Sequence, residues 1–115
     1  MSAERMRRVD EAMREVLSDA LSHDLKDPRV GFVTVTDVKT SPDLRHARVY
    51  VSVLGDTDAV DASLEGLRSA HGYLQGRVAS ELRLKNTPAL QFEHDDTAVR
   101  AQRLERLLRD GNGPQ

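Results

Sequence analysis

Apolar residues recur along this chain with two periods, and each change of period marks a new element. From Asp58 to Leu82 they fall at Val60, Leu64, Leu67, Leu74, Val78 and Leu82, with His71 as a weak member. Steps of three and four put them on one stripe of a helix that faces a core. The stripe is interrupted at Ala70-His71-Gly72, and a second glycine follows at Gly76. Glycine inside a helix is about 1 kcal/mol less favourable than alanine. The spacing therefore predicts a kink at Gly72, set by a bend or a close backbone approach. Run straight, this helix would be about 37 Å long. A compact chain of this size has a radius of gyration of roughly 13 Å, so a kink lets the helix wrap the core.

The same reading extends over the rest of the chain. Glu4 to Leu25 forms an amphipathic helix with Met6, Val9, Met13, Val16, Leu17, Ala20 and Leu21 on its apolar stripe. Asp27-Pro28 stops it, because proline disfavours helical geometry in the residue before it. Between Gly31 and Thr40 the period shortens, and Phe32-Val33-Thr34-Val35-Thr36 carries the β-branched signature of a strand. Ser41-Pro42-Asp43 supplies turn chemistry. Ala47 to Val53 then alternates, apolar on odd positions, as a half-buried strand pairing antiparallel with the first. Gly55 to Thr57 ends that strand, and Thr57 or Asp58 is placed to cap the long helix.

Beyond that helix, Lys85-Asn86-Thr87-Pro88 reads as a loop and Ala89 to His94 as a short strand with Leu90 and Phe92 facing one way. Asp95-Asp96-Thr97 caps a last helix carrying Val99, Leu104, Leu107 and Leu108, and Asp110 to Gln115 reads as a frayed tail. A strand–helix–strand unit makes its two strands parallel with a right-handed crossover. The expectation is one α+β domain over residues 1–110, followed by a flexible tail at 111–115. Its sheet is three-stranded and mixed, with the Ala47–Val53 strand central and the helices on one face.

Composition narrows the chemistry. At 115 residues, 38% of them hydrophobic, the chain suits one core and leaves no room for two. Cysteine is absent, which removes disulfides and thiolate chemistry. No apolar run approaches a membrane span, and Met1 to Arg5 opens no signal peptide, so a cytoplasmic protein with no membrane partner is expected. The net charge of −2 says little; its distribution says more. Asp56, Asp58, Asp61 and Glu65 stand without a base before Leu67, whereas Arg68, Arg77, Arg83 and Lys85 face only Glu81 beyond it. The positive stretch begins at the kink, where a broken helix can offer backbone N–H groups to phosphate oxygens and guanidinium groups add charge-assisted contacts. The alternative is that these bases only offset the helix dipole. Arg5, Arg7 and Arg8 form either a solvated face or a phosphate anchor. Tyr73 either stacks on a base or is partly buried.

No catalytic constellation is present. His23, His46, His71 and His94 lack metal-ligand spacing, and His94-Asp95-Asp96 is explained as a strand end and helix cap. Nucleophile-elbow, phosphate-loop and helical zinc motifs are all missing. Gly72 to Gly76 has membrane-dimer spacing in surroundings too polar for lipid. An enzyme, a metal and a cofactor are therefore not expected.

The order and spacing of several short segments resemble bacterial ribosome-binding factor A. They are Arg5, Arg8 and Val9; Asp27-Pro28-Arg29; Thr34 to Val38; and Ser41, Asp43, Leu44, Ala47, Val49, Tyr50, Val51 and Ser52. The Ala-x-Gly at Ala70 and Gly72 follows, then Leu82, Arg83, Pro88 and Leu90, and finally Asp96, Leu104, Leu107 and Leu108. The likeness covers Arg5 to Leu108. It departs at Lys85, where the family usually has arginine, and in a short tail. What the resemblance implies is a type II KH-like fold, α-β-β-α-β, with Ala-x-Gly in place of the usual Gly-x-x-Gly loop. It implies a monomeric, non-enzymatic assembly factor without small-molecule substrate. Such a factor binds the free 30S small subunit and assists late maturation of 16S ribosomal RNA. The RNA-contacting candidates are then Arg5, Arg8, Arg45 and Arg68, the kink residues Ala70, His71 and Gly72, and Arg77, Arg83 and Lys85. The rival class is a protein-interaction adaptor with the same fold. Salt dependence separates the two, since phosphate contacts make log K fall with log salt.

Overall fold

Ser2 starts the first helix: its hydroxyl oxygen accepts the Arg5 backbone N–H at 3.2 Å, and α1 runs Ala3–His23. The computed structural model describes residues 2–111, and residues 98–100, 110 and 111 only as helix. Residues 112–115, most of the expected tail, lie outside the described residues, as does the Val99 side chain. Met13, Val16, Leu17 and Ala20 of α1 are buried, with Val9 and Leu21 beside them, so the expected stripe faces the core.

Strands β1 (Val33–Thr40), β2 (His46–Val53) and β3 (Ala89–His94) form the expected mixed sheet in the order β1-β2-β3. β2 pairs antiparallel with β1 and parallel with β3. Alternation decides which face is covered. Ala47, Val49, Val51 and Val53 enter the core with Leu90 and Phe92, while His46, Arg48, Tyr50 and Ser52 point the other way. Phe32, expected inside the first strand, lies just before it and is 79% exposed.

A bulge was not legible in β1. The register jumps between Val35 and Asp37, leaving Thr36 unpaired. The extra residue lets Val35 and Val38, three apart, both point inward. Thr36 is held from across the sheet, its hydroxyl donating to an Asp95 carboxylate oxygen at 2.7 Å. The Thr97 N–H and hydroxyl also donate to Asp95, at 2.9 and 2.5 Å, so this aspartate anchors both the bulge and the start of α4 (Thr97–Gly111). The Thr97 hydroxyl, then the Thr36 hydroxyl and the Thr97 N–H, hold the Asp95 carboxyl at about 2, below its ordinary 3.8. A folded-state value below the unfolded one means stabilisation that is complete above about pH 4 and lost as pH falls through about 2. In urea melts, Asp95→Ala is expected to be less stable than the parent at neutral pH, with the gap closing between about pH 4 and 2. A gap constant to pH 2 would show that the carboxylate charge contributes nothing.

The long helix is two helices. Asp56, rather than Thr57 or Asp58, caps the first, accepting the Ala59 N–H at 2.9 Å. α2 runs Thr57–Ser69 and α3 runs His71–Leu82. The break falls at Ala70 (φ −90°, ψ 6°), two residues before the expected kink at Gly72. Packing explains it: α2 lies on β3 and β2, whereas α3 turns away to lie along α1. Gly72 and Gly76 are not required by space, since a methyl group at either would meet nothing within 4 Å. Within these two helices the glycine that packing requires is Gly66, where a methyl would stand 2.6 Å from Val30 Cγ2. α1, α2 and α3 all cover one face of the sheet. α4 leaves Leu104, Leu107 and Leu108 more than half exposed, and none of its described side chains enters the core.

Two polar ties fix α1 against this frame. Asp10 Oδ1 accepts the Thr40 N–H at 3.0 Å and its hydroxyl at 2.7 Å, so the start of α1 sits over the end of β1. At the other end, the Arg77 guanidinium joins Asp19 at 2.9 Å, Glu81 at 3.0 Å and Asp24, while the Tyr73 hydroxyl donates to Asp24 at 2.6 Å.

Candidate nucleic-acid interface

The candidate residues do not gather in one place. Arg68, Ala70, His71 and Gly72 gather at the break between α2 and α3, beside the outer edge of β3. A cleft there is lined by Arg68, His71, Leu90, Gln91, Phe92 and Glu93. Arg68 Nη2 donates to the Phe92 carbonyl at 3.3 Å, which holds the guanidinium over the strand edge. β3 pairs with β2 alone among the described strands, so its other edge faces the cleft. No side chain caps α3 and no acid stands in its first turn. Its positive end is therefore not neutralised from within. His71 and Gly72 are exposed there, and the empty space at Gly72 lets a phosphate come close to the backbone.

Arg45 directly precedes β2, and Arg83 and Lys85 lie in the segment that leads into β3. The loop from Arg83 to Pro88 delivers the chain to Ala89, whose N–H bonds the Arg45 carbonyl at 2.8 Å. Arg83 closes α3 in the left-handed region (φ 50°, ψ 41°). Glycine would adopt that conformation at lower cost. Arg5 and Arg8 lie on the exposed start of α1, before Asp10, and Arg8 pairs with Glu4 at 3.2 Å.

Arg77 is the candidate that the fold withdraws. Asp19 above all, then Tyr73 and Glu81, push its pKa above the ordinary arginine value. With three carboxylates around it the guanidinium is committed to the α1–α3 contact, and a phosphate would have to displace them. Tyr73 is 51% exposed, and the carboxylate of Asp24 holds its hydroxyl.

The uncovered face of the sheet carries Lys39, His46, Arg48 and Gln91, none of them singled out from sequence. The alternation of β2 was the available signal: its polar positions are as regular as its apolar ones.

A family model described as Ribosome-binding factor A matches residues 5–108. The crystal structure of ribosome-binding factor A from Thermus thermophilus is 25% identical, covering 77% of this chain and 93% of that one, with a TM-score of 0.70. A solution structure from Thermotoga maritima, described as a candidate ribosome-binding factor A, is 35% identical over 81% of this chain and 89% of that one, with a TM-score of 0.72. A third match is a homology model of the Thermus thermophilus factor as fitted into a cryo-electron-microscopy map of its 30S complex. It is 25% identical over 76% of this chain and 91% of that one, at a TM-score of 0.64. With the α-β-β-α-β order, the mixed sheet and nearly the whole chain matched, this protein belongs to the ribosome-binding factor A family.

Proposed function

We propose that this protein binds the free small ribosomal subunit and assists late maturation of 16S ribosomal RNA, as a monomer in the cytoplasm and without chemistry of its own. The observation that carries the reading is the cleft at the α2–α3 break, in a chain whose family model spans residues 5–108. An uncapped helix start, an arginine held over a strand edge and a bare glycine backbone together suit a phosphodiester chain. The fitted 30S complex of the Thermus thermophilus factor supports the choice of subunit. Arg68, Ala70, His71 and Gly72 make the first contact, and Arg45, Arg83 and Lys85 extend it before the starts of β2 and β3. Arg5 and Arg8 contribute less, because they project from the start of α1. No helix among the described residues is long and apolar enough to cross a membrane.

The exposed Phe32, Leu54 and α4 leucines favour a protein partner as the second reading. Co-sedimentation decides between them. The protein is expected to pellet with free small subunits, mature or immature, and to be released progressively as salt rises. Binding insensitive to salt would favour the adaptor, and failure to pellet with any small subunit at low salt would overturn both the subunit and its RNA as partners.

A further inference from the structure

The solvent face of the sheet is built in rows. Across the three strands one row reads Asp37, Tyr50, Glu93 and the next reads Lys39, Arg48, Gln91. His46 follows on the same face of β2, two residues from Arg48, at the end where Arg45 sits. Lys39 and Arg48 are direct cross-strand partners. Like charges placed opposite each other destabilise a sheet. Carboxylates pair with Arg8, Arg14, Arg29, Arg77 and Arg109, whereas Lys39 and Arg48 enter none of the ion pairs among the described residues. Tyr50 and then the attraction of the Glu93 carboxylate favour the charged form of Arg48 and raise its pKa. A shallow groove runs over this row, lined by Lys39, Ser41, His46, Arg48, Tyr50 and Gln91. It thus offers an ammonium, a guanidinium, an imidazole and an amide side by side, next to one aromatic ring.

We infer that this groove is a second RNA-binding surface, which takes the phosphodiester backbone of a strand leaving the cleft at the α2–α3 break. Continuity selects the occupant. Gln91 lines both the groove and the cleft, so the two adjoin at the β3 edge and one strand can occupy both. Charge selects it as well, because an anion between Lys39 and Arg48 relieves the repulsion between them. Tyr50 offers a π-face to a base beside that phosphate. This inference rests on the subunit-binding function proposed above.

The test is the double variant Lys39→Gln/Arg48→Gln, titrated with purified free small subunits over a range of salt beside the parent protein and Arg68→Gln. The double variant is expected to keep the parent's circular dichroism spectrum, since the repulsion removed offsets the Tyr50 and Glu93 contacts that Arg48 gives up. It is expected to bind more weakly, with a slope of log K against log salt shallower by roughly 1.4, about 0.7 for each single-strand phosphate that is no longer neutralised. Parent-like affinity and slope would overturn the groove while leaving the cleft untouched, provided the parent binds and Arg68→Gln weakens it. Weaker binding with an unchanged slope would assign the face to a ribosomal protein and overturn it equally. A parent protein that binds no subunit at all would instead remove the proposed function itself.

Discussion

Replacing Arg68 by glutamine and both Arg83 and Lys85 by glutamate is expected to abolish co-sedimentation with free small subunits while leaving the circular dichroism spectrum intact. The three side chains are exposed, and the hydrogen bond at stake within the protein is the one from Arg68 to the Phe92 carbonyl. A hydrogen bond of that kind contributes about 0.5–1.5 kcal/mol, a fraction of the roughly 5–15 kcal/mol that typically holds a domain together. Removing three charges that face phosphates is the larger effect. The salt slope is expected to flatten by roughly 2, at about 0.7 per phosphate on a single strand. Arg77→Glu is expected to behave differently, although it belongs to the same basic run in the sequence. It would set a fourth carboxylate among Asp19, Asp24 and Glu81, where each now shares one guanidinium. Loss of cooperative melting is the expected readout, with binding lost only as a consequence. A folded Arg77→Glu protein that no longer binds subunits would return Arg77 to the interface. A folded triple variant that binds like the parent would remove the cleft and the loop from it.

What the sequence made legible and what it hid follow from the range of the interactions concerned. The alternation in β2 fixes which residues face the core, and a local period suffices to see it. The stripes of α1, α2 and α3 are equally local, and so is the turn at Ser41-Pro42-Asp43. The bulge at Thr36 is not: it is defined by pairing with β2 and is anchored by Asp95, 59 residues away. The same holds for Arg77, whose partners Asp19 and Asp24 lie 58 and 53 residues back along the chain. On sequence alone it was one base among four beyond the acidic start of the helix. The groove on the sheet face was half visible. Its β2 side shows in the polar positions of the alternation, but the opposition of Lys39 to Arg48 depends on a register that the bulge has shifted.

Glycine gives the sharpest case of a right signal read at the wrong residue. The interrupted stripe does mark a break, yet the break is carried by Ala70, and the helical glycine that packing demands is Gly66. Gly66→Val is expected to destabilise the protein by about 3 kcal/mol, near the upper end of the usual overpacking penalty of roughly 1–3 kcal/mol. The reason is the 2.6 Å that even a methyl group would leave to Val30 Cγ2, on a short, stiff side chain that has little room to swing away. The gain of about 1 kcal/mol in helix propensity over glycine does not offset it. Gly72→Ala reverses the sign. Nothing lies within 4 Å of the new methyl, so the propensity gain stands alone and the melting temperature is expected to rise, by up to about 1 kcal/mol in stability. Binding separates the two glycines again. The Gly66 variant is expected to keep its affinity for small subunits under conditions where it remains folded. The stabilised Gly72→Ala protein is expected to bind more weakly, because its methyl stands in front of the backbone that a phosphate must approach. A Gly72→Ala protein that is both stabilised and fully active would show that the helix break is a device of packing alone, and would leave the bases around it to carry the contact.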